Sequence, residues 1–190
     1  MIVDLDKKLI RLKVVYYGPA MSGKTTNLES LSKLEGLKLA KIDTKGERTL
    51  VFDFSTKKVP VSNMTAYFAL YTVPGQEIYK DMRLTVLKGV DGIVFVADAQ
   101  AHRLEENIRF FELLKEDLSK VGKRYEEVPK VIQYNKMDLD NVLPLEVLEE
   151  KINKDGLSSV CASAIRGKGV KEAFSMIEAL LLSRLERMLG

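Results

Sequence analysis

The sequence predicts a layered α/β fold built on a mixed, mostly parallel six-stranded sheet with one antiparallel edge strand. Three observations predict it. Short β-branched or aromatic runs alternate with longer helical patterns. The run GIVFVAD is apolar on both faces, as a mid-sheet parallel strand covered by helices must be. Two further runs, TLVFDF and AYFALYTV, are separated by a polar stretch too short for a helical crossover, which makes them an antiparallel hairpin at the sheet edge.

The first strand is LIRLKVVYY (9–17), and a helix follows from Lys24. TLVFDF (49–54) and AYFALYTV (66–73) form the hairpin, with STKKVPVSN (55–63) as its connection. A helix follows Gln76, GIVFVAD (92–98) is the central strand, and a helix after Ala101 carries Leu104, Ile108, Phe111 and Leu118 on one face. Its alternating charges read as a solvated face without chemistry. KVIQYN (130–135) and SVCAS (159–163) complete the sheet. Helices follow Pro144 and Gly169, the last burying Phe174, Ile177, Leu181, Leu185 and Met188 along one stripe. The polar, glycine-containing stretch from Glu35 to Arg48 is the longest connection without a pattern, and loops of that length tend to be functional.

At 46% hydrophobic and 30% charged, 190 residues suit one domain, 1–190, around one core. The 30 basic and 27 acidic side chains are scattered without a basic cluster, which argues against nucleic acid as a partner. The single cysteine, Cys161, allows no internal disulfide, and no secretory signal or long apolar span is seen. With no lipidation motif at either end, the expectation is a cytoplasmic protein without a direct lipid anchor. Cys161 and the single histidine, His102, have no triad or metal set around them and are read as structural.

Chemistry enters at GPAMSGKT, which matches G-x-x-x-x-G-K-[ST] with a strand before and a helix after. A loop wrapped around a phosphate turns successive N–H groups inward, and the helix beginning near Lys24 adds its positive end. Residues Gly18, Pro19, Ala20, Met21, Ser22, Gly23, Lys24, Thr25 and Thr26 are therefore expected at the phosphates, Lys24 reaching the β- and γ-groups and the Thr25 hydroxyl ligating Mg²⁺. The base is decided by NKMD, at the carboxyl end of a buried strand where ligands gather in open sheets. Guanine presents adjacent N1–H and N2–H₂ donors that a carboxylate can accept, whereas adenine offers an acceptor at N1. Asp138 thus selects guanine, Asn135 contacts the base and ties the loops together, and the Lys136 stem lies against the ring.

In order along the chain, GPAMSGKTT, VPGQ, NKMD and CASA resemble the motifs of Ras-like small GTPases. More specifically, YYGPAMSGKTTNL, GERTLVFDF, LYTVPGQ, GVDGIVFVADA and VIQYNKMDL are similar to the bacterial gliding-motility MglA family. The resemblance spans nearly the whole chain and implies a three-layer P-loop GTPase fold and a GTP-hydrolysing switch, slow alone and faster with a partner. It implies that Ser163 and Ala164 recognise guanine, that Gln76 orients the attacking water, and that Arg48 serves as an arginine finger supplied in cis. Thr49 would meet Mg²⁺ and the γ-phosphate in the GTP state, together with the N–H of Gly75. The implied partners are an MglB-like, dimeric, roadblock-type activator, an exchange factor and polarity or motility effectors that recruit the protein to a cell pole.

Two residues depart from the Ras pattern. Thr72 stands where an aspartate usually holds the Mg²⁺ water shell, and Asp53, on the edge strand, is the candidate substitute. Ala20 stands where glycine is common, and its methyl crowds the catalytic position, which lowers the expected intrinsic rate. A GTP-binding interaction module with negligible hydrolysis is therefore the competing expectation. A P-loop ATPase or kinase is a weaker one, which Asp138 opposes.

Overall fold

The protein, seen here as a computed structural model, is described at residues 1–38, 40–42, 52–61 and 63–189. Strands β1 (Ile2–Asp4), β2 (Leu9–Tyr17), β3 (Ala40–Ile42), β4 (Phe52–Val61), β5 (Met64–Thr72), β6 (Gly92–Asp98), β7 (Lys130–Asn135) and β8 (Ser159–Cys161) form one sheet. Its order is β3-β4-β5-β2-β6-β7-β8, with β1 added to β2. The pairings from β5 through β2, β6 and β7 to β8 are parallel, whereas β4 is antiparallel to β5, β3 to β4 and β1 to β2. The helices are α1 (Lys24–Glu35), α2 (Lys80–Leu87), α3 (Leu104–Lys120), α4 (Leu145–Ile152) and α5 (Val170–Leu189).

Side-chain alternation along β2 divides the interior in two. Ile10, Leu12, Val14 and Tyr16 pack in the core that holds Leu28 and Leu31 of α1 and Phe174, Ile177 and Leu181 of α5. Val15 and Tyr17 point the other way, into the core built from α2, α3 and α4. All seven residues of β6 are buried, as its two-sided apolar sequence requires. The result is helix, sheet, helix, in three layers.

Four sequence expectations are corrected. The sheet has eight described strands rather than six, because the short β1 and β3 carry too little pattern to be read. The segment taken as the hairpin connection is mostly strand: β4 runs on to Val61, which pairs with Met64. Pro60 is tolerated there because β3 covers only Phe52–Phe54 of the other side of β4. That same β3 pairing means Asp53, opposite Lys41, is not on the outermost strand. Finally, Met188 is 61% exposed, in the last turn of α5.

Because β2, β6, β7 and β8 are parallel, the loops after Tyr17, Asp98, Asn135 and Cys161 open on one edge of the sheet. That is the edge where open α/β sheets hold ligands.

Candidate functional site

The loop 18–23 leaves β2 at mid-sheet and enters α1 at Lys24. Gly18 has φ 144°, and a Cβ there would stand 2.3 Å from the Val96 carbonyl oxygen of β6, so only glycine fits the turn. Lys24 is buried and donates to the carbonyl oxygens of Gly18, at 2.9 Å, and Pro19, at 2.5 Å. Burial pushes its ammonium down to about 7; Glu106 counters this, while Arg103 and Arg83 add to it. The buried Ser22 hydroxyl has no hydrogen-bond partner among the described residues. Thr25 is exposed and Thr26 half-buried on the first turn of α1. A helix start, an ammonium made reluctant to stay charged and an unsatisfied hydroxyl together suit a bound phosphate.

Asn135, buried at the end of β7, donates from its side-chain nitrogen to the Ser22 carbonyl at 2.8 Å. Its side-chain oxygen accepts the Ala164 N–H at 2.9 Å. One amide therefore joins the phosphate loop to the turn that follows β8. Lys136, with φ 68°, donates at 2.7 Å to Asp98, whose backbone is pinned from both sides by the buried Asn107. The Asp138 carboxyl lies 3.4 Å from the Arg166 guanidinium. The Ser163 hydroxyl, the Asp138 amide and Arg166 hold that carboxyl below its ordinary range. Together Met21, Gly23, Thr26, Asn135, Lys136, Asp138, Leu139, Ala164 and Ile165 line one pocket of about 230 Å³. The phosphate loop and NKMD, far apart in sequence, thus share a single cleft.

Residues 13–183 of this chain match the Ras family. The chain belongs to the Ras family. It is 38% identical over 191 residues to mutual gliding-motility protein MglA of Myxococcus xanthus (strain DK1622), with 97% of each chain covered. It is 31% identical over 183 residues to human ADP-ribosylation factor-like protein 4A, covering 90% of this chain and 84% of that protein. Against human Ras-related protein Rab-7b the identity is 25% over 185 residues, with 96% and 88% covered. As a Ras-like small GTPase of the MglA family, the protein binds guanine nucleotide, hydrolyses GTP and works as a switch.

In this Ras-family site the segment after β5 meets the phosphate loop directly. A Cβ on Gly75 would fall 2.3 Å from the Ala20 nitrogen, so glycine is what lets the two backbones touch. Gln76 is exposed, and its backbone carbonyl accepts a 2.8 Å bond from Arg83 of α2. Arg83 is 1% exposed, with its Nε 3.1 Å from an Asp117 oxygen that also accepts the Tyr17 hydroxyl at 2.8 Å. Asp117 corrects the reading of α3 as a helix whose charges all face solvent: it is fully buried, and Arg83 is the partner that permits this. On the far side of the loop, Arg103 donates to the Ala20 carbonyl at 2.6 Å and binds Glu106 at 2.6 Å.

Arg83, Arg103, Asp98 and Asn107 were missed by sequence reasoning. Only Asp98 had a signal, as a charge at the carboxyl end of a wholly apolar strand. Arg48 and Thr49 lie outside the described residues, as does much of the Glu35–Arg48 connection. His102 and Cys161 are exposed rather than packed, and among the described residues no group of three or more His, Cys, Asp or Glu could hold a metal. Mg²⁺ beside a nucleotide needs only one or two protein oxygens in addition to phosphates and water. The exposed Thr25 hydroxyl next to Lys24 meets that requirement. Thr72 is buried at the end of β5, and continuing the β4–β5 register one step past the Phe54–Tyr71 pair sets Asp53 level with it. Among the described residues no helix is long and apolar enough to cross a membrane.

Proposed function

We propose that this single-domain GTPase is a polarity or motility switch whose hydrolysis is timed by an MglB-like, roadblock-type dimeric activator. The observation that supports one nucleotide site is the Asn135 amide, which ties the phosphate loop to the turn after β8. In this reading Gly18 to Thr26 and Gly75 hold the phosphates. Asn135, Lys136, Asp138, Ser163 and Ala164 hold guanine. Thr25 and Thr49 hold Mg²⁺, with Asp53 supporting them in place of the acid absent at Thr72. Mg²⁺, when bound, neutralises charge on the β- and γ-phosphate oxygens.

Gln76 orients water for in-line attack, and Arg48 stabilises the charge spreading over the γ-phosphate. Arg83 holds the Gln76 backbone while its side chain stands in solvent, an arrangement open to alignment by a partner. Ile78, 79% exposed two residues on, offers that partner an apolar contact. The motility assignment is carried from the name of the Myxococcus xanthus relative. Cytoplasmic location, recruitment to a pole, an exchange factor and downstream effectors follow from the same reading.

The test is single-turnover GTP hydrolysis with and without a cognate roadblock protein. Gln76→Leu and Arg48→Ala are expected to keep GTP affinity within about threefold while losing about 10³-fold of stimulated rate. Full stimulation of Arg48→Ala would overturn the finger in cis. Negligible turnover of the wild-type chain with its partner would favour a binding module instead, in keeping with Ala20 clamped between Gly75 and Arg103.

A further inference from the structure

One oxygen of the buried Asp117 carboxylate accepts two hydrogen bonds, from the Tyr17 hydroxyl at 2.8 Å and from Arg83 Nε at 3.1 Å. Tyr17 is the last residue of β2, directly before the phosphate loop. Arg83, on α2, passes the contact on through Nη1, which donates to the Gln76 carbonyl at 2.8 Å. All three side chains are buried. The other Asp117 oxygen has no hydrogen-bond partner among the described residues, so the hydrogen bonds of this carboxylate gather on the junction. Burial and the Asp117 charge push the Tyr17 hydroxyl above its ordinary range, which keeps it a donor. A buried ion pair adds little net stability, because desolvation consumes most of the attraction. What it supplies is fixed geometry. The guanidinium is planar and presents its donors at set angles, and the Phe110 ring of α3, centred 5.9 Å away, limits that plane further. On its other side Gln76 follows Gly75, which rests against Ala20 of the phosphate loop. Its backbone is thus held from α3 and from the loop, while its side chain is exposed.

We propose that Asp117 is a positioning residue for GTP hydrolysis: through Arg83 it fixes the backbone of Gln76, and through Tyr17 it ties that backbone to the strand that leads into the phosphate loop. The inference rests on the reading of Gln76 as the residue that orients water, and adds that its aim is set from α3. Asp117 acts through other residues and not on the reacting atoms. In-line attack depends on where the water stands, and a misplacement of about 1 Å can cost about a hundredfold in rate. A glutamine already fixed at its backbone has only side-chain freedom to lose when it is aligned, which lowers the cost of reaching the productive geometry.

The experiment is single-turnover GTP hydrolysis by the intact chain alone, with GTP affinity measured on the same variants. Asp117→Asn keeps the shape and removes the charge, and is expected to slow hydrolysis about tenfold while affinity stays within about threefold. Arg83→Lys keeps a cation beside Asp117 but cannot hold both partners at the angles of the planar fork. It is expected to slow hydrolysis by a similar factor with a GTP-bound thermal midpoint near that of wild type. Where Asp117→Asn does not fold, Arg83→Lys decides alone. Each change is then placed in Gln76→Leu, where it is expected to cost less than about twofold further, because residues that act through one group are not additive. Wild-type rates in both variants, an equal slowing in the Gln76→Leu background, or a loss of affinity in step with the rate would each overturn the proposal. Failure of the underlying reading looks different: Gln76→Leu alone would hydrolyse GTP at the wild-type rate, which removes the role of the glutamine and the tie to Asp117 with it.

Discussion

Two buried lysines sit at opposite ends of the sheet, and they differ in the charges that surround them. Lys24 follows the carboxyl end of β2 and is 7% exposed; Lys130 opens β7 at the other end and is 6% exposed. Each donates to two backbone carbonyls of one turn, Lys24 to Gly18 and Pro19, Lys130 to Tyr125 and Val128. Burial pushes both ammonium groups down, to about 7 and about 8. Their charged surroundings are opposite. Lys24 feels Arg103 and Arg83 against a single Glu106, whereas Lys130 feels Glu126 and Asp155 against a single Lys115 and lies 3.9 Å from the Tyr125 ring centre. Lys24, offset by Glu106 and two backbone carbonyls against two arginines, gains when an anion arrives. A buried cation among carboxylates and an aromatic face has part of its burial cost offset within the fold.

The sharpest way to break this comparison is to remove each ammonium. Lys24→Met is expected to weaken GDP binding by about a hundredfold or more, the cost of truncating one partner of a desolvated charge contact. Lys130→Met should leave that affinity within about twofold and lower the unfolding free energy by about 1–2 kcal/mol. Calorimetric titration and urea denaturation of both variants give the answer, and similar affinities for the two would abolish the distinction.

A smaller effect tests the cationic surroundings themselves. Arg103→Ala removes a charge near Lys24 and frees the Ala20 carbonyl, so GDP affinity is expected to fall about tenfold. Arg103→Lys, which keeps the charge, should recover part of it. No loss in Arg103→Ala would mean that neither its charge nor its bond to the Ala20 carbonyl supports the nucleotide.

The smallest effect is a pH window. With the Lys130 pKa lowered from 10.5 to about 8, the unfolded chain holds a proton between those values that the folded chain has released. Stability contributed at this position therefore rises with pH across the window and levels off above it. Wild type should gain stability relative to Lys130→Met between about pH 8 and 10.5, measured by denaturation at several pH values. A pH-independent difference would show that Lys130 keeps its ordinary pKa in the folded protein.

Lys24 was legible in the sequence and Lys130 was not, for a physical reason. Lys24 stands in a spacing set by phosphate geometry, while Lys130 is buried by a turn, Tyr125–Val128, that leaves no periodic trace. The same holds more widely. Strands β2, β6 and β7 matched their sequence runs residue for residue; in β6 the reason is burial on both faces, which writes itself as nearly continuous apolar sequence, and in β2 it is the alternation of Ile10, Leu12, Val14 and Tyr16 along one buried face. The β4–β5 hairpin was misplaced because Lys57, Lys58 and Pro60 look like a loop, although β4 continues through them to Val61. Asn135, Lys136 and Asp138 were singled out because ligand chemistry dictates residue type, and the structure sets them along one pocket. Arg83 and Asp117 were not, since two charges become a buried pair only when α2 and α3 pack together.

Asn135 has a consequence for how nucleotide can be released. Both ends of its amide are engaged, the nitrogen with Ser22 and the oxygen with Ala164, so turning the group over would break both bonds at once. The side chain acts as a keystone between two arches. Pulling the turn at 164–166 away from the sheet takes the support from one side of the amide, and the Ser22 carbonyl loses its fixed donor. The phosphate loop can therefore be loosened from the base end as well as from the side where Gly75 meets it.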